Sequence, residues 1–404
     1  MAAVAGMAQT FDLPNFVGPL HKVTSEDTVL LSMAGGLSGG DEVFATDVPF
    51  STVDNTAAGQ PSILEGADPV FEERTRVEDG NVVQIFHYGI KHSYTNLASR
   101  RNLGVPGTPP GFPVLGDVQV DDELAFQIML KLARASRDVE YVFWRGAYVR
   151  STSSATARQT RGFANLAGLT DVDKTTLELA DVAITATTDD VTFTGHGLSV
   201  DDELFFSTKS TGAPELDAHT RYFVHTVTDA NNVSLKTTLS GAEINITADG
   251  AAAGWTVNSV GDWLKADLDL LLQRMFEESE ADMIEPVVFC SSFNKTKISD
   301  IYGVAPRSRN VGGLDIEVVE TDHGSLPVVI ARHSPKNTLW VLDMAFVSPA
   351  YLRIPDRGHF FLEPVARTGA YDALQLYGEI GLQHGPAVKH GKLSGLRSYP
   401  DQNP

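Results

Sequence analysis

The chain has 404 residues, 42% of them hydrophobic, and sets 52 acidic residues against 31 Lys and Arg for a formal net charge of −21. Its length exceeds what one core ordinarily serves, so about two or three globular units are expected. The acidic balance excludes a dedicated nucleic-acid or anionic-membrane binder, which needs clustered positive charge. A single cysteine, Cys290, excludes an intramolecular disulfide framework and any multi-cysteine zinc site. Following the apolar run Val287 to Phe289, it reads as a small core residue. The opening MAAVAGMAQTF lacks a positively charged n-region, and no window offers about 18 uninterrupted apolar residues, so a soluble chain without a secretion signal is expected.

Residues 1 to 42 mix short apolar pieces with many glycines and end in Ala34-Gly35-Gly36-Leu37-Ser38-Gly39-Gly40. Such a segment cannot build a core and is expected to be an arm docked on something else, another subunit included. From Val43 to Val53, and again from Arg76 to Tyr94, apolar and polar residues alternate as in strands, while Asn55 to Arg74 between them is too long for a tight turn. A long two-stranded projection with a flexible tip is expected, and it needs a partner surface because two strands alone have no core. Gly104 to Gly116 forms a rigid irregular connector.

Asp121 to Trp144 carries Leu124, Ile128, Leu132, Ala135, Val139 and Val142 at three- and four-residue steps. Lys131, Arg134, Arg137, Asp138 and Glu140 fall on the other sides, the pattern of a long amphipathic helix. Asp121, Asp122 and Glu123 favour its first turn through the helix dipole. At about 1.5 Å per residue it spans roughly 36 Å and reads as a spine against which other layers pack. After it, Arg145, Arg150, Arg158 and Arg161 lie among Ser, Thr, Ala and Gly, either as a solvated loop or as inter-subunit or phosphate contacts.

Residues 178 to 257 change character: short alternating runs (VTFTGHGLSVDDELFF, TRYFVHTVTDANNVSLKTT, INITADGAAAGWTV) separated by Gly, Asp and Asn turns predict a small all-β module. Its three basic residues against twelve acidic ones give a net −9, which suits an exposed, solubilising decoration. Helical spacing resumes at Val260, Trp263, Leu264, Leu268, Leu271, Leu272 and Met275, with Ser259 and Asp262 at capping-box spacing. Strands are predicted at Val287–Cys290, Asp315–Thr321, Pro327–Ala331 and Asn337–Leu342, with a helix at Phe293–Tyr302 after the first. Further strand-like runs follow at 351–354, 359–362 and 373–382. The pattern is α+β rather than a doubly wound sheet.

No catalytic machinery emerges. Gly36-Leu37-Ser38-Gly39-Gly40 matches G-x-S-x-G, but the strand before and helix after that a nucleophile elbow requires are missing. P-loop, dinucleotide and HExxH patterns are absent, and His384 and His390 near the C-terminus lack ligand spacing.

The order of parts, an arm, a long two-stranded loop, a spine helix, then an α+β domain with a late return of strands, resembles the major capsid protein of tailed bacteriophages with the HK97 shell fold. Residues 10–18 (TFDLPNFVG), Asp27-Thr28 through Ser32-Met33 with Gly39-Gly40, Glu65-Gly66-Ala67-Asp68, and Asn81 through Phe86 look like a capsid family common in actinobacterial phages. The likeness covers about 7–177 and 258–396. The module, through Thr192 to Leu198 and Arg221 to Val224, resembles a small β domain that recurs in phage virion proteins.

This resemblance implies an α+β HK97-like capsid fold with an all-β insertion. It divides the chain into an arm (1–42), an extended loop (43–102), a peripheral domain (103–177, spine 121–144), the insertion (178–257), an axial domain (258–350) and a return to the peripheral domain (351–404). It implies a structural protein, not an enzyme, that assembles with itself as pentamers and hexamers of an icosahedral shell around dsDNA, without sequence-specific binding, cofactor, metal or membrane. Synthesis in the host cytoplasm, portal and scaffold partners, and a decoration protein as a further partner, belong to the same expectation. Inter-subunit contacts are expected at Phe11, Leu13, Phe16, Glu65, Asp68, Arg74, Arg76, Arg145, Arg150, Arg158 and Arg161. Lys91 is the one lysine in the loop, so no Lys–Asn cross-link of the kind some relatives form is assigned. Two alternatives stand beside this: a tail or surface adhesin binding host glycans through the β module, and an esterase using Ser38.

Overall fold

The computed structural model describes residues 27–37, 39–53, 62–66, 68, 76–94, 123–153, 155–192, 194–251, 254–277, 283–302, 307–311, 314–366 and 369–399. The arm up to residue 26, Ser38, most of the loop tip, the 104–116 connector, and Asp121 with Asp122 lie outside these. Among the described residues the α-helices are α1 (Val29–Met33), α2 (Glu123–Arg145), α3 (Lys265–Glu277) and α4 (Ser292–Tyr302).

A seven-stranded mixed sheet runs in the order β14 (Arg307–Val311), β15 (Leu314–Thr321), β16 (Gly324–Ile330), β13 (Pro286–Cys290), β17 (Leu339–Asp343), β21 (Gly391–Ser394) and β5 (Thr170–Asp173). Its central strand β13 reads as an unbroken apolar run because both faces are covered. Val287 and Phe289 point into the core shared with α2. Val288 and Cys290 point the other way, toward Leu268, Leu271, Leu272 and Met275 of α3 and Ile298 of α4. The period of two in a strand thus divides one sequence run between two cores.

The second sheet has the order β1 (Asp41–Val43), β18 (Ser348–Leu352), β20 (Tyr371–Gln383) and β19 (Phe361–Pro364), with β4 (Gln84–Ser93) along the other edge of β20. Both sheets meet α2 in one core, centred on Trp144. The Trp144 ring lies 5.5 Å from Phe289, 5.9 Å from Phe163 and 5.9 Å from Trp340, in tilted or edge-on contacts that aromatic rings prefer.

A third sheet of seven strands, β6 (Glu178–Ala180), β12 (Thr256–Ser259), β9 (Glu203–Thr208), β10 (Arg221–Val227), β11 (Asn232–Lys236), β8 (Asp190–Thr192) and β7 (Ala183–Thr185), encloses a separate core. Phe206, Tyr222 and Trp255 are its large buried rings. β2 (Asp47–Val53) and β3 (Arg76–Val82) pair only with each other as a ribbon.

Several expectations need correcting. The projection is shorter than its alternation predicts: 47–53 pairs with 76–82, and the chain then leaves the ribbon, so Phe86, Tyr88 and Ile90 belong to β4 beside β20. Val82 and Val83 are both buried, which breaks the period of two, and Asn81 makes the handover. Its amide donates to the carbonyls of Leu382 (2.8 Å) and Arg161 (3.0 Å), while its Oδ1 accepts from Arg161 N (2.7 Å) and Val82 N (2.9 Å). The described arm residues dock on their own chain, with Val29, Leu30 and Leu31 buried in the Trp144 core and β1 added in parallel to β18.

In α2, Ala135 and Val139 are buried as predicted, yet Leu132 is exposed and Glu140, assigned to the polar side, is only 1% exposed. The reason is α1: Glu140 accepts from the backbone N–H of Leu31 (2.7 Å) and Leu30 (3.2 Å) and from the Trp144 indole N–H (3.0 Å). Helix α3 begins at Lys265, not at the Ser259–Asp262 box, because Ser259 is spent in β12 and Asp267 closes the first turn on Leu264 N (2.8 Å). Ile244 to Thr247 forms no strand; the Ile246 N–H donates to Asp189 Oδ1 (2.7 Å). The stretch after the spine is a solvated loop only in its first half: Ala147, Tyr148, Arg150, Thr152, Ser153 and 155–157 are exposed, whereas Thr160, Phe163 and Leu166 are buried.

Candidate assembly surfaces

Neither a cluster of metal-binding side chains nor a helix long and apolar enough to cross a membrane occurs among the described residues. Cys290 is fully buried, and burial pushes its thiol up to about 12, which disfavours the reactive thiolate. What the surface offers instead is apolar residues without a local cover. Val53 at the end of β2 is exposed, as is Leu64 (85%) in the sequence between β2 and β3, and so are Leu264 just before α3, Phe276 within it and Ile284 ahead of β13. Large exposed side chains gathered on particular elements mark contact surfaces more than scattered ones do.

Of the residues singled out from sequence, Phe11, Leu13, Phe16 and Arg74 lie outside the described residues. Glu65 and Asp68, between β2 and β3 in sequence, are exposed, and so is Arg76, which pairs with Val53 at the end of the ribbon. The four later arginines do not form one cluster. Arg145, in the last turn of α2, donates to Thr220 Oγ1 (2.7 Å) and to the carbonyls of His333 (3.3 Å) and Ser334 (3.4 Å), and burial lowers its pKa. Arg158 is paired with Glu379 at 2.8 Å in a poorly solvated position, and Glu379 also accepts from Tyr377 Oη at 2.7 Å. Arg161 reaches Asp79 of the ribbon at 3.4 Å and stacks on Tyr148. Arg150 holds Asp47 at 2.6 Å where both side chains are well exposed. Three of them therefore brace this chain internally, and Arg150 ties the ribbon base at the surface.

Sequence reading missed the polar seam that seats the β module. Glu203 accepts from Asn337 Nδ2 (2.7 Å), from Ser398 N (2.9 Å) and from the Ser398 hydroxyl. Arg221 donates to Ser398 Oγ (2.9 Å) and Arg145 to Thr220. A single acid among twelve in the module gives no signal in sequence; only its burial distinguishes it.

The structure is similar to the cyanophage A-1(L) capsid asymmetric unit, with a TM-score of 0.53 at 11% identity over 94% of this chain and 97% of that one. Lower-scoring likenesses are the holo-SrpI encapsulin complex from Synechococcus elongatus PCC 7942 (TM-score 0.45, 11% identity, 90% and 88% covered) and the capsid of an empty GTA particle (0.44, 11%, 98% and 99%). None of the curated proteins matches. The fold is that of HK97-like capsid proteins, as the resemblance implied. The sequence matches the family model of the SU10 major capsid protein over residues 3–397, which does not favour the adhesin alternative. With the match spanning nearly its whole length, the chain belongs to the SU10 major capsid protein family, the structural proteins of the virion shell.

Proposed function

We propose that this subunit is a non-enzymatic building block that closes into an icosahedral shell of pentamers and hexamers around dsDNA. The family match over residues 3–397 carries the reading. The two-stranded ribbon supports it physically, because a ribbon with exposed Val53, and an exposed Leu64 between its strands in sequence, gains a cover only from another molecule. The ribbon region, with Glu65, Asp68, Arg76 and Arg150, is the contact surface we propose, joined by Phe11, Leu13, Phe16 and Arg74 outside the described residues. Arg145, Arg158 and Arg161 act first as internal braces, which keep the surfaces in register.

We divide the chain into the arm, extended loop, peripheral, inserted and axial domains given above. Portal and scaffold proteins, and a decoration protein on the acidic module, are the proposed further partners, with synthesis in the host cytoplasm. A net charge of −21 suits a container that must hold packaged DNA without gluing it to the wall. The test is negative-stain electron microscopy with mass analysis of the chain expressed alone and with its neighbouring genes. Closed shells or rings of five and six subunits are expected; trimers or fibres would overturn the reading.

A further inference from the structure

Strands β9 and β10 of the module use both of their faces. Leu204, Phe206, Tyr222 and Val224 fill the module core. Glu203, Phe205, Arg221 and Phe223 alternate with them and stand on the opposite face, as the period of two requires. Strand pairing sets Glu203 across from Phe223 and Phe205 across from Arg221, which gathers an acid, a cation and two rings into one patch. Glu203, Phe205 and Phe223 are buried, although Phe223 takes no part in the module core. The segment that follows β21 lies on this patch.

That segment is anchored in the body before it reaches the module. Leu393 and Leu396 are buried in the core beside α3 and α4. Leu396 N donates to Asn337 O (2.8 Å), and Leu396 O accepts from Asn337 Nδ2 (2.9 Å). The segment then crosses both connections between module and body, 174–177 and 260–264. Two glycines permit the crossing: a Cβ on Gly395, at φ +70, would stand 2.4 Å from Thr175 N, and one on Gly261 would stand 2.1 Å from Lys174 O. Gly261 N donates to Gly395 O (2.7 Å) and Arg397 N to Gly261 O (3.0 Å). Past the crossing, Ser398 donates to Glu203 through its N–H (2.9 Å) and its hydroxyl, and Arg221 donates to Ser398 Oγ (2.9 Å). The Tyr399 ring meets Phe223 edge-on at 5.9 Å, with the Arg221 guanidinium 5.7 Å from its centre.

We propose that Gly395–Tyr399 is a strap that clamps the β module onto the body. Among the described residues the buried apolar clusters of module and body have no member in common. The seam is therefore largely polar, with Asn337 on Glu203 and Arg145 on Thr220 beside the strap, and water can replace such bonds when the two parts separate. A module with its own core can then be released without being unfolded. The strap works within one subunit and does not depend on the shell reading.

A chain stopped after Arg397 keeps Leu396 in the body and loses Ser398 and Tyr399. Hydrogen exchange followed by mass spectrometry compares it with the full-length chain. Peptides covering 174–177 and 259–264 should lose protection on the order of tenfold to a hundredfold, because several bonds of modest net worth go together. Peptides from β10, β11, β13 and β17 should stay within about twofold, as parts of separate cooperative units. Unchanged protection in the two connections overturns the proposal. So does a loss that spreads through β10 and β11, which would make the segment part of the module's own fold. If the shortened chain does not fold, the full-length double variant Ser398→Ala, Tyr399→Ala decides. Its connections should lose protection about threefold or more, since the backbone bonds of the strap remain; wild-type protection there refutes the strap.

Discussion

The β module and the β2–β3 ribbon are both made of short strands, yet they solve the burial problem in opposite ways. The module folds seven strands around Phe206, Tyr222 and Trp255 and supplies its own interior. The ribbon buries little beyond Val48 and the valines at its base, and leaves Val53 in solvent. Strand number decides the difference: a pair of strands has two faces and nothing to close over either one. A region that carries its own core can be changed without disturbing its host, whereas one that borrows a core shows its defects elsewhere.

Two tryptophans sharpen that contrast most strongly. Trp144→Ala and Trp255→Ala each remove a fully buried ring and should each cost about 3–5 kcal/mol. Trp144 joins both body sheets to the spine, so its loss should abolish soluble subunit. Trp255 touches only the module core, so exchange protection should collapse within 178–259 while the body still unfolds at its normal temperature. By the same logic, replacing 178–257 with a short Gly/Ser bridge should leave shell formation intact under the electron microscope; complete loss of shells would mean that the module clasps neighbours.

A step smaller, Arg158→Ala strands Glu379 in a poorly solvated site and should cost roughly 3 kcal/mol in denaturant unfolding. Acid probes the body from another side. Burial holds His390, wedged between Asp343 N and His384 O, down to about 4. The folded state then carries fewer protons than the unfolded one, whose histidine titrates near 6.5. Body stability should be full above pH 6.5 and fall as the pH drops toward 4, by roughly 3 kcal/mol at most. Least of all should Leu64→Ser affect the lone subunit, within about 0.5 kcal/mol. If the ribbon surface is covered in the shell, its effect appears instead as a lower assembly yield in light scattering.

Much of the fold was legible because period and burial agree. The runs at Val287–Cys290, Asn337–Leu342 and Ala373–Leu382 fall within β13, β17 and β20 to within a few residues, since strands buried on one or both faces declare themselves in apolar content. Short strands covered by neighbours did not: β5 (TDVD) and β21 (GKLS) have almost no apolar text and are strands because β17 and each other supply partners. The contact surfaces were less legible still. Arg158 and Leu64 look alike in sequence as exposed-loop residues, yet one is an internal brace and the other open to solvent. Glu140 carried the right spacing for the polar face and lost it to a helix more than a hundred residues away in sequence.

The handover at Asn81 also has a mechanical side. A ribbon gripped by a neighbour passes its load through Asn81 and Val83 into β4, which is registered with β20 from Gln84 against Ile380 to Ser93 against Tyr371. A pull along the strand direction is then borne in shear by the whole ladder at once instead of peeling it pair by pair. Load transmitted through the ribbon would meet the ten paired residues of β4 and β20 before it reached the hydrophobic interior.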